Sequence, residues 1–596
     1  MGIFDILTLV CGLALFLYGM DVMGNALKKS AGRKLKTILG NLTSNKFKGF
    51  LLGLGVTAII QSSSATTVMV VGFVNSGTML LSQAFGVIIG ANVGTAVTSW
   101  LTALNGIEGG SGALEWVNYL KPDAWMPVLA LIGICFIMFG KKSRSKDIGA
   151  ILMGFAVLMV GMDLMSSAVS VLKGNPDFAK ILTMFSNPIL GVLAGTLLTA
   201  IVQSSSASVG ILQALSSTGA ITYSAAIPII MGQNIGTCVT AMISSVGANK
   251  NGKRAAFIHL YYNVFGVVLF LSCYYLFGWL GVGLFDLLGW AGKTSIDMWG
   301  IAIVHTLFKI FSVIALWPMT KWIEKLAVAT VRGEDKKGDE YTDMLDDRLL
   351  ESPTVAIERC RVVATQMSDV ATNSLKNALS LFEQYDPKVA ESVREDEDKC
   401  DIYEDILGSY LVKLSARDMD EKDSHEVTKL LHMIGDFERI SDHAASLVDS
   451  AEELRDKGIS FSEQATAELA TMRSAVNEIV TTTSEAFAEI NVDKAVTVEP
   501  LEQVVDYLRE QIRRQHIIRL QKSECSIEHG FVLSDILTDL GRVSDHCSNI
   551  AGCIIEMSRH EALDLHEYLH SVKKGGADFA RMYDEFMVKY PLPTLK

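Results

Sequence analysis

A glutamine followed by three serines occurs twice in this chain, as Gln61-Ser62-Ser63-Ser64 and as Gln203-Ser204-Ser205-Ser206. Three adjacent hydroxyls, the backbone N–H groups beside them and an amide that both donates and accepts make a compact cluster of donors. Such a cluster suits a tetrahedral oxyanion. No Asp, Glu, Lys, Arg or His lies between Gly49 and Ile107, or between Ile181 and Asn249. A bare dianion is very costly in a neutral, low-dielectric site. The local composition therefore predicts that positive charge arrives with the substrate, as a co-bound sodium ion. Neutral oxygens for it are available from Asn92 and Thr95, from Asn234 and Thr237, and from unwound backbone carbonyls. A plainer use exists for each type. Ser and Thr in apolar helices often serve only to bond backbone or to join helices, and Gly and Thr of the Asn-x-Gly-Thr segments can serve close packing. Asp21 and Asp163 are expected near helix ends in structural roles. His259 and His305, in the similar runs His-Leu-Tyr-Tyr-Asn and His-Thr-Leu-Phe-Lys, are expected to be satisfied interface residues.

The elements that position these residues are duplicated. Thr57–Ala65 recurs as Thr199–Ala207, an offset of 142 residues. The register continues downstream, where Gly90-Ala91-Asn92-Val93-Gly94-Thr95 matches Gly232-Gln233-Asn234-Ile235-Gly236-Thr237. It continues upstream, where Gly19-Met20-Asp21 matches Gly161-Met162-Asp163. Polar tetrads held in register over such a distance mark an internal repeat.

The chain around them is apolar up to about residue 326. Ile3–Leu17, Met126–Phe139, Ile148–Met165, Phe257–Phe277 and Trp299–Trp317 are each about long enough to cross a hydrocarbon core of ~30 Å. Loop charge sets the orientation of the two copies. Lys28, Lys29, Arg33, Lys34, Lys36, Lys46 and Lys48 follow the first helix; the second copy has only Lys173, Lys180 and Asp177 there. Residues 104–125 carry Glu108, Glu115 and Asp123, whereas the counterpart carries Lys250, Lys253 and Arg254. The copies are therefore expected to have opposite topology, an inverted repeat. Gly49–Ser76 as one helix would measure about 42 Å. If it dips in and returns instead, every basic loop falls on one side. A re-entrant hairpin with Gln-Ser-Ser-Ser at its tip is expected in each copy. Such a backbone is tolerated only where it is buried in protein or lines a wet cavity.

Other classes are disfavoured. The net charge of −13 does not suit nucleic acid. Nine cysteines without a Cys-x-x-Cys pair argue against a zinc site or a disulfide framework. Ile3–Leu17 lacks a basic flank before it and reads as a retained helix. There is no phosphate-binding P-loop and no nucleophile–base pair, so an enzyme is not expected.

With Gln-Ser-Ser-Ser in both halves, each followed by Gly-x-Asn-x-Gly-Thr, residues 1–326 resemble the type II sodium–phosphate cotransporter family. The resemblance implies inorganic phosphate as substrate, sodium as coupling ion, and phosphate contacts from Gln61, Ser62, Ser63, Ser64, Gln203, Ser204, Ser205 and Ser206. The sodium contacts are expected, from their neutral oxygens, to be Asn92, Thr95, Asn234 and Thr237, and the chain is expected to be multi-pass in the bacterial inner membrane. Export, another oxyanion, or a membrane-anchored phosphate sensor are the alternatives that the residues leave open.

Residues 327–352 read as a charged linker, and from 353 to 585 the pattern is helical with few interior Gly or Pro. A second duplication lies here. Ile434–His443 corresponds to Thr538–His546 about 103 residues later, each copy containing Arg-x-x-Asp-His: Arg439, Asp442, His443 and Arg542, Asp545, His546. Glu397 and Asp401, like Glu502 and Asp506, share a helix face one turn apart. Asp535 and Asp539 repeat the spacing, with His432 and Asp436 as counterpart. This half resembles the PhoU-like domains, paired three-helix bundles that act as phosphate-linked regulators. That resemblance implies a cytoplasmic regulatory domain, and iron or zinc held by Glu397, Asp401, Asp436, Glu502, Asp506 and Asp539. It also admits a homo-oligomer or a regulatory partner. An ordinary solvated acidic face is the alternative for each pair, and interhelical salt bridges are the expectation for Arg-x-x-Asp-His. The expected fold is thus all-α: a polytopic membrane domain of two inverted repeats, about 1–104 and 146–247, with further helices over 255–326, followed by a soluble helical bundle.

Overall fold

The computed structural model describes residues 2–40, 45–107, 121–279, 295–333, 345–559 and 577–593. The acidic loop around Glu108 and Glu115 and the middle of the linker lie outside them. The chain forms two compact units, Met1–Val355 and Ala356–Lys596. Among the described residues everything regular is helix, and β pairing is limited to one isolated bridge between Thr222 and Ser295.

In the first unit six helical stretches are long and apolar enough to cross a membrane: Ile3–Ser30, Leu81–Gly106, Arg144–Ser170, Tyr223–Ser244, Lys250–Phe277 and Met298–Thr330. The first belongs to α1 (Ile3–Gly40) and the third to α7 (Ser143–Ser170). Glycines let these two helices touch. A Cβ on Gly12 would stand 2.9 Å from the Gly161 carbonyl, and one on Gly19 would stand 2.6 Å from the Gly154 carbonyl. As the residue number rises along α1 it falls along α7, so the two run antiparallel. Because Gly12 and Gly154 are repeat equivalents, as are Gly19 and Gly161, the two contacts are one contact seen twice.

The next helices of each copy show how the chain reverses. α2 (Lys46–Ile60) starts on Asn45, whose side chain accepts from Phe47 N at 2.9 Å, an N-cap that satisfies an orphan donor. It packs along α4 (Leu81–Gly94) through Gly53, Gly86 and Gly90. Gly86 lies against Lys46, and Gly90 against Phe50. These pairs ascend together, so α2 and α4 are parallel and start at the same level. The helix between them, α3 (Ser63–Asn75), therefore brings the chain back to the level at which α2 began. The second copy repeats this. α9 (Pro188–Val202) packs parallel to α11 (Tyr223–Gly236), with Gly191 against Pro228, Gly195 against Ile229 and Gly232 against Val192, and α10 (Ser205–Ser216) makes the return.

Four further helices enclose these. α5 (Ala96–Ala103) and α12 (Cys238–Ser244) continue α4 and α11 after breaks at Thr95 and Thr237. α13 (Lys250–Trp279) and α14 (Met298–Leu316) contribute Tyr262, Phe270 and Phe308 to the apolar core. Between α5 and α7 lies α6 (Pro122–Phe139), between α7 and α9 lies α8 (Pro176–Met184), and α15 (Thr320–Thr330) follows α14. Helices α8 and α9 are bent by 97° at their junction, where Asn187 caps a helix that opens with Pro188, a residue pre-set for that position.

The end of the linker belongs to the first unit. Leu349 is fully buried, close to Gly72 of α3. Asp346 accepts from Asn75 Nδ2 at 2.7 Å, and Arg348 donates from Nε to the Ser244 carbonyl at 2.6 Å.

The second unit holds α16 (Pro353–Ser380, whose first residues belong to the first unit), α17 (Pro387–Ser415), α18 (Glu421–Asp456), α19 (Glu463–Glu489), α20 (Val492–Gln521), α21 (Ile527–Arg559) and α22 (Ala577–Lys589). Apolar residues at three- and four-residue spacing build its core, where the rings of Phe437 and Phe487 meet edge to face at 5.1 Å. One buried ion pair sits among them: Arg519 donates to both Glu468 oxygens, at 2.8 and 2.9 Å. That fork satisfies both charges, as a buried pair requires.

Candidate functional site

Both Gln-Ser-Ser-Ser segments fall on the corners between helices. Helix α2 ends at Gln61 with φ 58°, and α9 ends at Gln203 with φ 55°. The left-handed region costs a residue with a Cβ about 1–2 kcal/mol. Each strained glutamine turns the chain so that the next serine can cap the following helix. Ser62 Oγ accepts from Ala65 N, and Ser204 Oγ from Ala207 N, each at 3.2 Å. The first-turn N–H groups of α3 and α10 have no partner within their own helices, and a helix N-terminus favours negative charge.

The two corners meet. Gln61, Ser62, Ser63 and Ser64 line one cavity of about 260 Å³ together with Gln203, Ser204, Ser205 and Ser206. Ile60 of α2 and a face of α1 that carries Leu17, Asp21, Asn25 and Lys28 complete its wall. Asn25 Nδ2 donates to Asp21 Oδ2 at 3.1 Å. The wall therefore contains an ammonium group that the uncharged stretches around the tetrads do not announce. Lys28 belongs to the basic cluster expected in a loop, but α1 runs on to Gly40 and brings it alongside the tips. Asp21 is likewise in mid-helix and faces the cavity. The spacing of Asp21, Asn25 and Lys28, four and then three residues, is the helical signal that groups them.

The corner glutamines differ in support. Thr98 Oγ1 donates to Gln61 Oε1 at 2.7 Å. Thr240, its repeat equivalent, donates instead to the Thr237 carbonyl at 2.9 Å.

The two Asn-x-Gly-Thr segments end α4 and α11 alike, and each threonine hydroxyl turns back to the asparagine carbonyl. Thr95 does so at 2.7 Å and Thr237 at 2.6 Å. Their surroundings diverge. Lys309 of α14 reaches the first segment and donates to the Asn92 carbonyl, to Asn92 Oδ1 at 3.0 Å and to the Thr95 hydroxyl. It is 3 % exposed. The same asparagine donates from Nδ2 to Asn263 Oδ1 of α13 at 2.7 Å. Asn263 in turn donates to the His259 carbonyl at 3.0 Å and approaches Cys238 Sγ at 3.3 Å. An ammonium thus stands on the oxygens at which the motif predicts a sodium ion. Lys309 is 214 residues from Thr95, so the neutrality of the local sequence gives no hint of it. In the second copy Asn234 donates to the Ile230 carbonyl, and no lysine or arginine reaches Asn234 or Thr237 among the described residues. His305, one turn before Lys309, has Nδ1 3.4 Å from Ser99 Oγ.

In the second unit the acidic pairs find partners that differ from those expected. Glu397 and Asp401 converge with Asp442, and Glu502 and Asp506 with Asp545, each triad offering carboxylate oxygens within 4.8 Å of one another. Asp436 and Asp539 lie elsewhere. Asp436 faces His546 Nδ1 at 2.8 Å, and Asp539 faces His443 Nδ1 at 2.9 Å. Asp436 and Asp442 are six residues apart on α18, about 240° around the helix, so they cannot share a face. The Arg-x-x-Asp-His motifs divide accordingly. Arg439 pairs with Asp442 within its own helix at 2.9 Å, while the histidines make the bonds between α18 and α21. Burial, then the carboxylates of Asp401, Asp398 and Asp442, push the Glu397 carboxyl above its ordinary range. Burial, then Asp442 and other acids, do the same to Asp401. All-carboxylate triads of this kind fit a hard cation.

The Na+/Pi-cotransporter family model matches residues 15–167 and again 165–285, and the PhoU domain model matches 364–451 and 469–554. Similar proteins include the "Putative inorganic phosphate export protein YjbB" of Escherichia coli O157:H7. It is 23% identical over 559 residues, covering 92% of this chain and 97% of that protein. The "Uncharacterized protein YqeW" of Bacillus subtilis (strain 168) is 30% identical over 259 residues, 43% of this chain and 78% of that one. The human "Sodium-dependent phosphate transport protein 2B" is 38% identical over 130 residues, 20% of this chain and 19% of it. Among solved structures, PhoU from Pseudomonas aeruginosa is 24% identical, covers 34% of this chain and 97% of its own, and has a TM-score of 0.33. With one family model matching twice across the apolar half and the other twice across the helical bundle, the chain is a multi-pass membrane protein of the Na+/Pi-cotransporter family of phosphate transporters, and it carries a PhoU domain.

Proposed function

We propose that this protein is a sodium-coupled symporter of inorganic phosphate, residing in the bacterial inner membrane with its PhoU domain in the cytoplasm. The observation that carries the reading is the meeting of both serine tips on one small cavity. Two helix N-termini, six hydroxyls and Lys28 face the space there. Phosphate has enough acceptor oxygens to engage them all; Asp21 on the same wall offsets Lys28, so the charge of a dianion is balanced chiefly by sodium. Asn234 and Thr237, at the break between α11 and α12, are the sodium ligands we favour.

The antiparallel run of α1 and α7 supports opposite topology for the two copies. The return paths through α3 and α10 support re-entrant hairpins that reach the site from opposite faces. Lys141, Lys142 and Arg144 then share a side with the ends of α3 and α12, where the linker docks. Basic loops favour the cytoplasm. The acidic triads are places where the PhoU domain would hold a metal. Their oxygen-only donor sets suit a hard cation.

One relative is named for phosphate export and another for sodium-dependent transport. Export is therefore the second reading. Both are tested by reconstituting the full chain in proteoliposomes and measuring labelled phosphate movement in each direction under imposed sodium gradients. Uptake driven by inward sodium is expected. Phosphate flux that ignores sodium, or full activity in a Ser63→Ala, Ser205→Ala double variant, refutes the symport reading.

A further inference from the structure

Lys309 stands in a setting that otherwise describes a sodium site. Its acceptors are a backbone carbonyl, an amide oxygen and a hydroxyl at the point where α4 gives way to α5. Broken helices lined by neutral oxygens are where transporters hold small cations. An ammonium and a sodium ion carry the same charge and seek the same oxygens. They cannot share one set, because like charges a few ångströms apart repel strongly in a low dielectric.

The second copy supplies the control. Asn234 there donates to the Ile230 carbonyl, and among the described residues no lysine or arginine reaches Asn234 or Thr237. Its buried oxygens are incompletely used. Thr57 Oγ1 donates to Thr66 Oγ1 at 3.0 Å in the first copy. The equivalent hydroxyls of Thr199 and Ser208 have no partner, nor does Gln233 Oε1. All three residues are at most 1 % exposed. Gln233 lies beside Ser208, donating to its carbonyl at 2.9 Å. One copy is thus supplied with a cation by the chain, while the other keeps unengaged oxygens on Thr199, Ser208 and Gln233.

We infer that Lys309 is a resident cation which replaces one transported sodium ion, so that the first copy holds the lysine ammonium where the second holds sodium. The inference rests on the sodium-coupled reading above and fixes the charge of the cycle. The lysine returns with the empty carrier, so only the ions released count. A phosphate dianion released with one sodium ion carries a net negative charge across the membrane. With two sodium ions it would carry none. An inside-negative potential drives the first cycle outward and leaves the second indifferent. One lysine therefore moves the carrier toward phosphate release.

The test is the sodium count of Lys309→Asn, which replaces the ammonium with a neutral amide. Full-length protein in proteoliposomes is loaded with labelled phosphate and labelled sodium, and the flux ratio is measured for both forms. The ratio is expected to rise by one sodium per phosphate in the variant, with a steeper dependence on sodium concentration. An unchanged ratio and steepness overturn the inference. For a variant too slow to transport, thermal melting in detergent with sodium or choline replaces the flux. A larger sodium-dependent rise in the variant than in the parent supports an opened site, and an equal rise overturns it. The two readings fail separately. If parental flux ignores sodium but the variant acquires a sodium requirement, the symport reading falls and the role of Lys309 stands. If the parent is sodium-coupled and the variant keeps its ratio, the reverse holds.

Discussion

The two copies of the transport repeat share a backbone and differ in charge. Their tips have the same left-handed glutamine, the same serine cap and the same threonine turned back on an asparagine carbonyl. Their cations are all on one side: Lys28 at the tips and Lys309 at the helix break belong with the first copy, and the equivalent of Lys28 is Ser170. The PhoU unit makes the same point. Both of its copies build an acidic triad, but in the second Asp506 pairs with Arg509 at 2.8 Å. Duplication supplies geometry twice, and single substitutions then divide the electrostatic work between the copies. A symmetric scaffold is therefore a poor guide to how many ions it carries.

If the tips are equivalent, they should fail equally. Hydrogen bonds to a charged group contribute about 1.5–3 kcal/mol. Ser63→Ala and Ser205→Ala should thus each weaken phosphate binding about tenfold or more, and together about 100-fold or more. Unequal single effects, read from the concentration dependence of flux, would break the equivalence. If the charges are not equivalent, Lys28→Met should lower phosphate affinity about tenfold, one lost charge-assisted contact, while Ser170→Met should leave it unchanged.

Smaller effects probe the acidic triads. Glu397 and Asp401 hold protons more firmly folded than unfolded, since their carboxyls are raised. The stability they contribute is full at low pH and is lost as pH climbs through those raised values. Asp401 is exposed, so solvent screens the effect, and Asp401→Asn should remove this loss and raise the melting temperature of the PhoU transition at neutral pH by about 2 °C or less. Asp506→Asn, which strands Arg509, should not raise it. Calorimetry of the full chain at about pH 3 and pH 7, either side of the ordinary carboxylate range, separates the two. The smallest effect is at the corners. Gln61→Gly and Gln203→Gly relieve left-handed strain but add chain entropy, for a net gain of about 1 kcal/mol or less in each copy. Transport falls in both cases because the amide is gone. A stability gain in one copy alone would show that the tips are not equally strained.

Much of this framework is legible in the residues themselves. The 142-residue offset, the breaks at Gln-Ser-Ser-Ser and Asn-x-Gly-Thr and the acidic pairs on one helix face all follow from local spacing. What escapes is whatever depends on helix length or on distant chain. Lys28 reads as a loop residue because nothing local tells that α1 continues to Gly40. Lys309 reads as the end of an apolar run because its acceptors lie more than two hundred residues away. Asp442 and Asp545 escape because spacing groups residues of one helix, whereas each triad takes its third carboxylate from a second helix. Charge near a site is a property of the folded neighbourhood, and local composition understates it.

The strained corners also carry a history. A left-handed glutamine is an unusual choice where glycine would be easier, and the chain makes it twice, at positions related by the duplication. Inheritance of one such corner is simpler than its separate invention. The corner then predates the duplication, at a time when a chain held a single tip. Because both tips line one cavity, the same corner is used twice on a single space, and a change at either Gln61 or Gln203 alters a wall that the two copies share.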